Sequence, residues 1–155
     1  MIFTVVALSL FGCSDRDRDE IAKEFNFYFS ANETACGFIF YDVEEAPALT
    51  IENRIVSYNF DEQNILSTSS PIDFGWKSRE NPGFAEFNFY NGDRELIINE
   101  EEKPSYATGR ITVDSEEHIF TMLHFSDREE CFSDDLTEES ERFFDLIRKT
   151  YAKNE

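Results

Sequence analysis

Positive charge is what this chain most lacks. Of 155 residues, 14 are Lys or Arg against 33 Asp or Glu, a formal net charge of -19 with a sequence pI near 4.3. Nucleic acid is excluded as a partner, because phosphate contacts are made by Lys and Arg. The same field repels an anionic membrane surface, so peripheral attachment through a basic patch is excluded too. Cysteine and histidine are scarce, three and two, and neither a C-x-x-C nor an H-x-x-x-H spacing is present, so no zinc site is expected. His118 and His124 stand six positions apart; on an extended segment they share a face but lie about 20 Å from one another, too far to share an ion. Asp15-x-Asp17-x-Asp19 has Glu20 where a calcium loop needs Gly and Asn26 where it needs a bidentate Glu, so it fails as an EF-hand. There is no G-x-S-x-G elbow, Walker loop, G-x-G-x-x-G or H-E-x-x-H. With so many acidic residues, any chosen pair of carboxylates is uninformative about glycoside hydrolysis. The expectation is a protein without a cofactor, without a metal and without an enzymatic activity.

Long apolar runs are also missing, and no repeat of 20 to 50 residues or low-complexity tract occurs. The single uncharged stretch, Met1 to Gly12, is too short to cross a hydrocarbon core, which needs roughly 20 residues. It suits the apolar segment of a secretory signal. Leu10, Phe11 and Gly12 before Cys13 resemble the bacterial lipobox, in which cleavage falls before the Cys and its thiol receives a diacylglycerol. Six of the next seven residues are charged, which sharpens that boundary; the absence of Lys or Arg before the run departs from the usual pattern. The competing reading is a buried N-terminal strand that ends in an ordinary Cys. Residues 1–12 are thus expected to be a lipoprotein signal peptide, 13–24 a solvated tether, and 25–155 one folded domain. An acylated Cys13 would partner the chain with a membrane, since more than one chain at about 0.8 kcal/mol per buried methylene makes anchoring stable. Ser14, not Asp, follows Cys13, which favours the outer membrane over the inner.

With Cys13 acylated, Cys36 and Cys131 remain as a disulfide candidate for an exported chain. Closing a loop of about 95 residues is worth roughly 4–5 kcal/mol in the chain-entropy model. Two buried free thiols are the alternative.

What is abundant is aromatic surface. Aromatics make up 15% of the chain, 17 of them Phe, and 41% of residues are hydrophobic although the mean hydropathy is -0.48. Disordered chains are poor in such residues, so the charge clothes a packed body. Strands are expected at 24–29, where Phe25, Phe27 and Phe29 alternate, and at 38–43, 54–60 and 65–68. Residues 32–37 read as a loop. Asn64 tolerates the left-handed conformation wanted before Ile65. Residues 86–90 and 94–98 flank Asn91-Gly92, the strongest short hairpin signal. A second hairpin joins 110–113 to 118–125. Phe143, Leu146, Ile147 and Tyr151 recur at helical spacing, with Phe144 at the margin, predicting a helix over 137–153. Asp135 or Thr137 caps it, and Arg148 and Lys149 suit its C-terminal end. The fold class expected is mainly β: a single β-sandwich, Ig-like or transthyretin-like, of about seven strands with a C-terminal α-helix.

The stretch Gly37-Phe38-Ile39-Phe40-Tyr41, with Ala46-Pro47, Tyr58, Ile65-Leu66, Thr68-Ser69-Ser70-Pro71, Gly75-Trp76 and Phe89-Tyr90, resembles an uncharacterised family of small exported bacterial proteins. The resemblance covers roughly residues 33–98. Asn64 stands where that family usually has Gly, and Cys36 and Cys131 lie outside its pattern. It implies a β-sandwich and an exported location, and carries no activity.

Two surfaces are candidates for binding. Exposed aromatics around the lone Trp76 could form a patch, in competition with its commoner use as a core plug. Glu100, Glu101 and Glu102 are the best place for a cationic protein partner, in competition with plain solvation of a charge spread over the whole chain. The leading expectation is an envelope-anchored, non-catalytic binding protein, of which an inhibitor or immunity-type protein for a basic partner is one form. The alternatives are a structural envelope lipoprotein and, behind it, a small hydrolase needing His118 or His124 as base.

Overall fold

In the computed structural model of the chain, residues 21–30, 36–76, 85–92, 95–97, 102–125 and 138–151 are described, the last with side chains from 143 onward. Eight strands form two four-stranded mixed sheets: β1 (Glu24–Tyr28), β2 (Cys36–Phe40), β3 (Ile51–Glu52), β4 (Ile55–Asn59), β5 (Ile65–Ser67), β6 (Glu86–Tyr90), β7 (Ser105–Val113) and β8 (Glu116–His124), followed by helix α1 (Glu138–Tyr151). The first sheet has the order β3-β4-β1-β6 and the second β5-β2-β8-β7. They face each other as a sandwich. Phe25, Phe27, Val56, Tyr58 and Phe89 of the first sheet share a core with Ile39, Tyr41 and Leu123 of the second. The chain shuttles between layers, so strands within one sheet are reached after an excursion through the other. Hence β1 pairs in parallel with both β4 and β6, and β2 with β5. An antiparallel immunoglobulin sandwich does not pair this way.

Strand β1 is central, and its neighbour β6 repeats it. Both read Glu-Phe-Asn-Phe-Tyr, and they lie parallel and in register, each residue beside its own kind. Phe27 and Phe89 stack inside with centroids 5.1 Å apart, and Tyr28 and Tyr90 stack outside at 4.6 Å. On the outer face the Asn88 side-chain amide donates to Asn26 Oδ1 at 3.0 Å, which satisfies a buried polar group.

Helix α1 lies on the far face of the second sheet and makes a third layer. Ile147, wholly buried, and Tyr151 pack with Phe40 and Val43, and Phe38, Phe120, Phe143 and Leu146 close around them. The Tyr151 hydroxyl donates towards the backbone oxygens of Tyr41 (3.0 Å) and Ile119 (3.3 Å). The helical stripe read from the sequence is the docked face, and Phe144 is exposed at its margin.

The turns depart from expectation. Both tight hairpins put two residues at positive φ, Asn53-Arg54 (53° and 68°) between β3 and β4, and Asp114-Ser115 (49° and 70°) between β7 and β8. Arg54 is therefore a turn residue, not the start of a strand. At Asn91-Gly92 the sequence signal misleads. Asn91 N–H donates to the Glu95 carbonyl, Glu95 N–H to Asn91 Oδ1, and among the described residues the return segment forms only a bridge at Leu96. A side chain closes a wider loop there, in place of a two-residue turn. Strand β7 starts at Ser105, earlier than the pattern showed, and Cys36-Gly37 belong to β2 instead of a loop. Asn64 is left-handed as expected (φ 57°) and fully buried. Its Oδ1 accepts the Ser30 N–H at 2.7 Å, while Asp61 Oδ1 accepts both Gln63 and Ile65 N–H at 2.8 Å.

Candidate functional site

The inner faces of the two sheets do not close completely. A cavity of about 230 Å³ lies between them, lined by residues of β1, β2, β4, β6, β7 and β8 together with Ile72, Asp73 and Trp76. Its walls are built by strand alternation. Phe25 and Phe27 of β1, Phe87 and Phe89 of β6, and Ile39 and Leu123 opposite them all point inward because odd-numbered residues of these strands share the core face. Space remains where short side chains, Thr108 on β7 and Thr121 on β8, stand across from the rings. Trp76, 49% exposed, and Tyr106, 69% exposed, mark the mouth.

Local structure fixes Trp76 there. The segment Pro71 to Trp76 is a run of turns in which Phe74 N–H donates to the Pro71 carbonyl and Trp76 N–H to that of Asp73, both at 3.0 Å. Gly75 has φ 79°, and a Cβ on it would lie 3.1 Å from Val56 and 3.3 Å from Ala22, so neither conformation nor space admits another residue easily. The indole stacks on Phe25 at 5.0 Å and tilts on Phe87 at 5.5 Å. It is at once a partial plug and an exposed ring, so both sequence readings of Trp76 describe part of its position. The Thr68-Ser69-Ser70 segment anchors the same loop: Thr68 Oγ1 donates to the Pro47 carbonyl at 2.8 Å, and Ser70 Oγ accepts the Leu49 N–H at 2.8 Å.

Of the hydroxyl-bearing residues in the lining, Tyr41, Tyr58 and Thr121 are the buried ones. Tyr41 and Thr121 share a hydrogen bond of 3.3 Å. Tyr58, only 3% exposed, makes no hydrogen bond through its hydroxyl among the described residues. Burial pushes the phenols of Tyr41 and Tyr58 well above the ordinary tyrosine value, and in Tyr58 the neighbouring Tyr41 adds to the effect, so both stay protonated. Among the described residues no Lys, Arg or His lines the cavity, and the one carboxylate, Asp73, is exposed.

The remaining candidate residues lie elsewhere. Cys13, Cys131, Glu100 and Glu101 fall outside the described residues. Glu102 is exposed in the turn ahead of β7 and does not line the cavity. Cys36 opens β2 opposite His124, whose buried Nε2 has no hydrogen-bond partner among the described residues, and His118 stacks on Tyr151 at 3.9 Å. Among the described residues no group of three or more His, Cys, Asp or Glu could hold a metal, and no helix is long and apolar enough to cross a membrane. Sequence reading did not single out Tyr41, Tyr58, Thr108 or Thr121 as site residues. Only an earlier start to β7 could have placed Tyr106 and Thr108 on an inward face, and Ala107-Thr108-Gly109 give little strand signal.

No protein-family model matches the chain, and no curated protein matches it. Among solved structures it is similar to one described as "Putative Lipoprotein from Bacillus anthracis", with a TM-score of 0.56 and 15% identity over 86% of this chain and 99% of that one. At that identity the likeness is one of fold.

Proposed function

We propose that this chain is a lipoprotein of the bacterial envelope, anchored through Cys13, that works as a non-catalytic binding protein and takes its ligand in the intersheet cavity. The observation that carries the reading is the cavity itself, an apolar pocket with an exposed aromatic mouth, which is the usual form of a small-molecule site. The anchor is supported by Leu10-Phe11-Gly12-Cys13 and by the fold shared with a protein described as a lipoprotein. Ser14 favours the outer membrane as its address. A Cys36–Cys131 bridge fits the same compartment; it is supported by Cys36, which is disulfide-bonded. Mass spectrometry of the protein extracted from membranes tests the anchor. A chain that starts at an acylated Cys13, and shifts to the soluble fraction as Cys13→Ser, is expected; an intact Met1 with a bare thiol overturns it.

The net charge of -19 favours a second reading, a cationic protein partner held at the acidic clusters around Glu100 to Glu102. Capture of one defined partner at low salt and its release at high salt would carry that reading. A pull-down indifferent to salt would end it.

A further inference from the structure

We infer that the cavity takes a small neutral alcohol or phenol, with its apolar body between the sheets and its hydroxyl against the hydroxyl of Tyr58; this rests on the cavity being the binding site. Four observations converge on that chemistry.

The first is size. An engineered cavity of about 150 Å³ holds benzene in another protein, so about 230 Å³ admits one substituted ring or an alkyl body of similar bulk. Next comes polarity. Phe25, Phe27, Phe87, Phe89, Ile39 and Leu123 offer nothing but apolar surface, which favours a ligand body without polar groups.

Charge follows. A carboxylate or phosphate in the cavity would be desolvated with no Lys, Arg or His to face it among the described residues, inside a chain of net charge -19. A cation fares little better. Asp73 is exposed at the rim and cannot follow a charge into the interior, where the cost of desolvation would be met. The ligand is therefore neutral.

The last observation is the Tyr58 hydroxyl. Tyr58 lines the cavity, and its hydroxyl makes no hydrogen bond among the described residues, whereas Tyr41 beside it is engaged with Thr121. In a cavity with apolar walls that hydroxyl is left free to bond a guest, and a ligand hydroxyl that both donates and accepts supplies the partner. The hydrocarbon of the same shape cannot. Discrimination of this kind is stronger than any that the apolar walls could supply, because a site built to bond a hydroxyl penalises the analogue lacking it.

p-Cresol and toluene are matched probes, differing by one hydroxyl, and calorimetric titration into the mature chain reads both. The wild type should bind p-cresol about fivefold or more tightly than toluene, the worth of one neutral hydrogen bond. Tyr58→Phe should still bind toluene, which shows its cavity intact, and should no longer prefer p-cresol. Thr108→Trp, which fills the mouth from the exposed edge strand β7, should lose both. Equal affinities in the wild type, or a preference that survives Tyr58→Phe, overturn the choice of ligand and leave the cavity a binding site. No binding of either probe, or binding undiminished in Thr108→Trp, overturns the cavity reading itself.

Discussion

At the scale of single residues, Asn64 joins backbone conformation to packing. A left-handed φ of 57° costs an ordinary side chain about 1 kcal/mol, and Asn offsets that with short-range hydrogen bonding. Its amide also accepts the Ser30 N–H just beyond β1, tying two loops 34 positions apart. The two contributions can be separated. Asn64→Gly keeps the backbone and loses the amide, so urea unfolding should show a loss of about 1 kcal/mol. Asn64→Ala loses both and should cost about 2–3 kcal/mol. Equal losses would mean that the conformation is unstrained.

The buried phenols carry a pH signature. Tyr41, Tyr58 and Tyr151 are all raised above the ordinary value near 10 by burial, so the fold prefers their protonated forms. The stability they contribute is complete below about pH 10 and is lost as pH rises through their folded values. Chemical denaturation between pH 8 and 11.5 should give a flat plateau and then a fall. Tyr151→Phe should lower the plateau by about 1–2 kcal/mol, through the loss of its hydrogen bond to the Tyr41 carbonyl, and make the fall shallower. An unchanged alkaline limb in that variant would sink the assignment.

At the scale of elements, much was legible. Alternation placed β1, β4 and β6 within a residue or so, because one face of each strand must be apolar to line the sandwich. The helix was clearer still, since a stripe at period 3.6 has no other use in a chain of strands. Turn chemistry was less faithful. Asn91-Gly92 carries the stronger preference for a two-residue hairpin, yet Asp114-Ser115 adopts the tight turn. Two nine-residue strands pair fully beside Asp114-Ser115, and their ladder overrides local preference. Gly109 shows the same priority of packing. The ring of Phe120 covers it so closely that an added Cβ would lie within 3.0 Å of the ring, so a weak strand residue is held by its cross-strand neighbour.

The docking of α1 can be tested as an element. Ile147 is fully buried against the second sheet and Phe144, three positions earlier, is 45% exposed. Ile147→Ala should therefore cost about 2–4 kcal/mol in urea unfolding, whereas Phe144→Ala should stay near 0.5 kcal/mol. Similar losses at the two positions would mean that the helix does not use the face described here.

For the whole molecule, local pattern fell short where strand partners had to be chosen. Hydrophobic pattern says that a segment is a strand and which face is buried; it does not say which strand lies beside it. The parallel pairing of two Glu-Phe-Asn-Phe-Tyr segments, 62 positions apart, follows from the shuttling of the chain between layers and is invisible to local spacing. The cavity is invisible for the same reason: its lining runs from Phe25 of β1 to Leu123 of β8, and it exists only once the two sheets face each other. Charge was legible in amount and opaque in arrangement. The ion pairs Arg110–Glu117 (3.1 Å) and Arg148–Asp145 (3.3 Å) are both largely exposed, and such pairs contribute little. These two pairs do little against the self-repulsion of a chain at -19.

The folded state, being more compact than the unfolded chain, bears the larger share of that repulsion. Salt should therefore stabilise this protein, the reverse of its effect on folds that rely on surface ion pairs. Raising NaCl from 10 mM to 1 M shortens the screening length from about 30 Å to about 3 Å, below the spacing of most surface charges. If screening recovers about 1–2 kcal/mol, a domain of this size should melt roughly 3–7 °C higher. Sucrose, which strengthens burial without screening, separates the two causes. A neutralised variant with Glu100, Glu101 and Glu102 changed to Gln should start from a higher melting temperature and gain less from salt. A melting temperature that is flat or falling across the NaCl series would show that the acidic surface is already balanced within the fold, and the charge-driven partner reading would lose its physical basis with it.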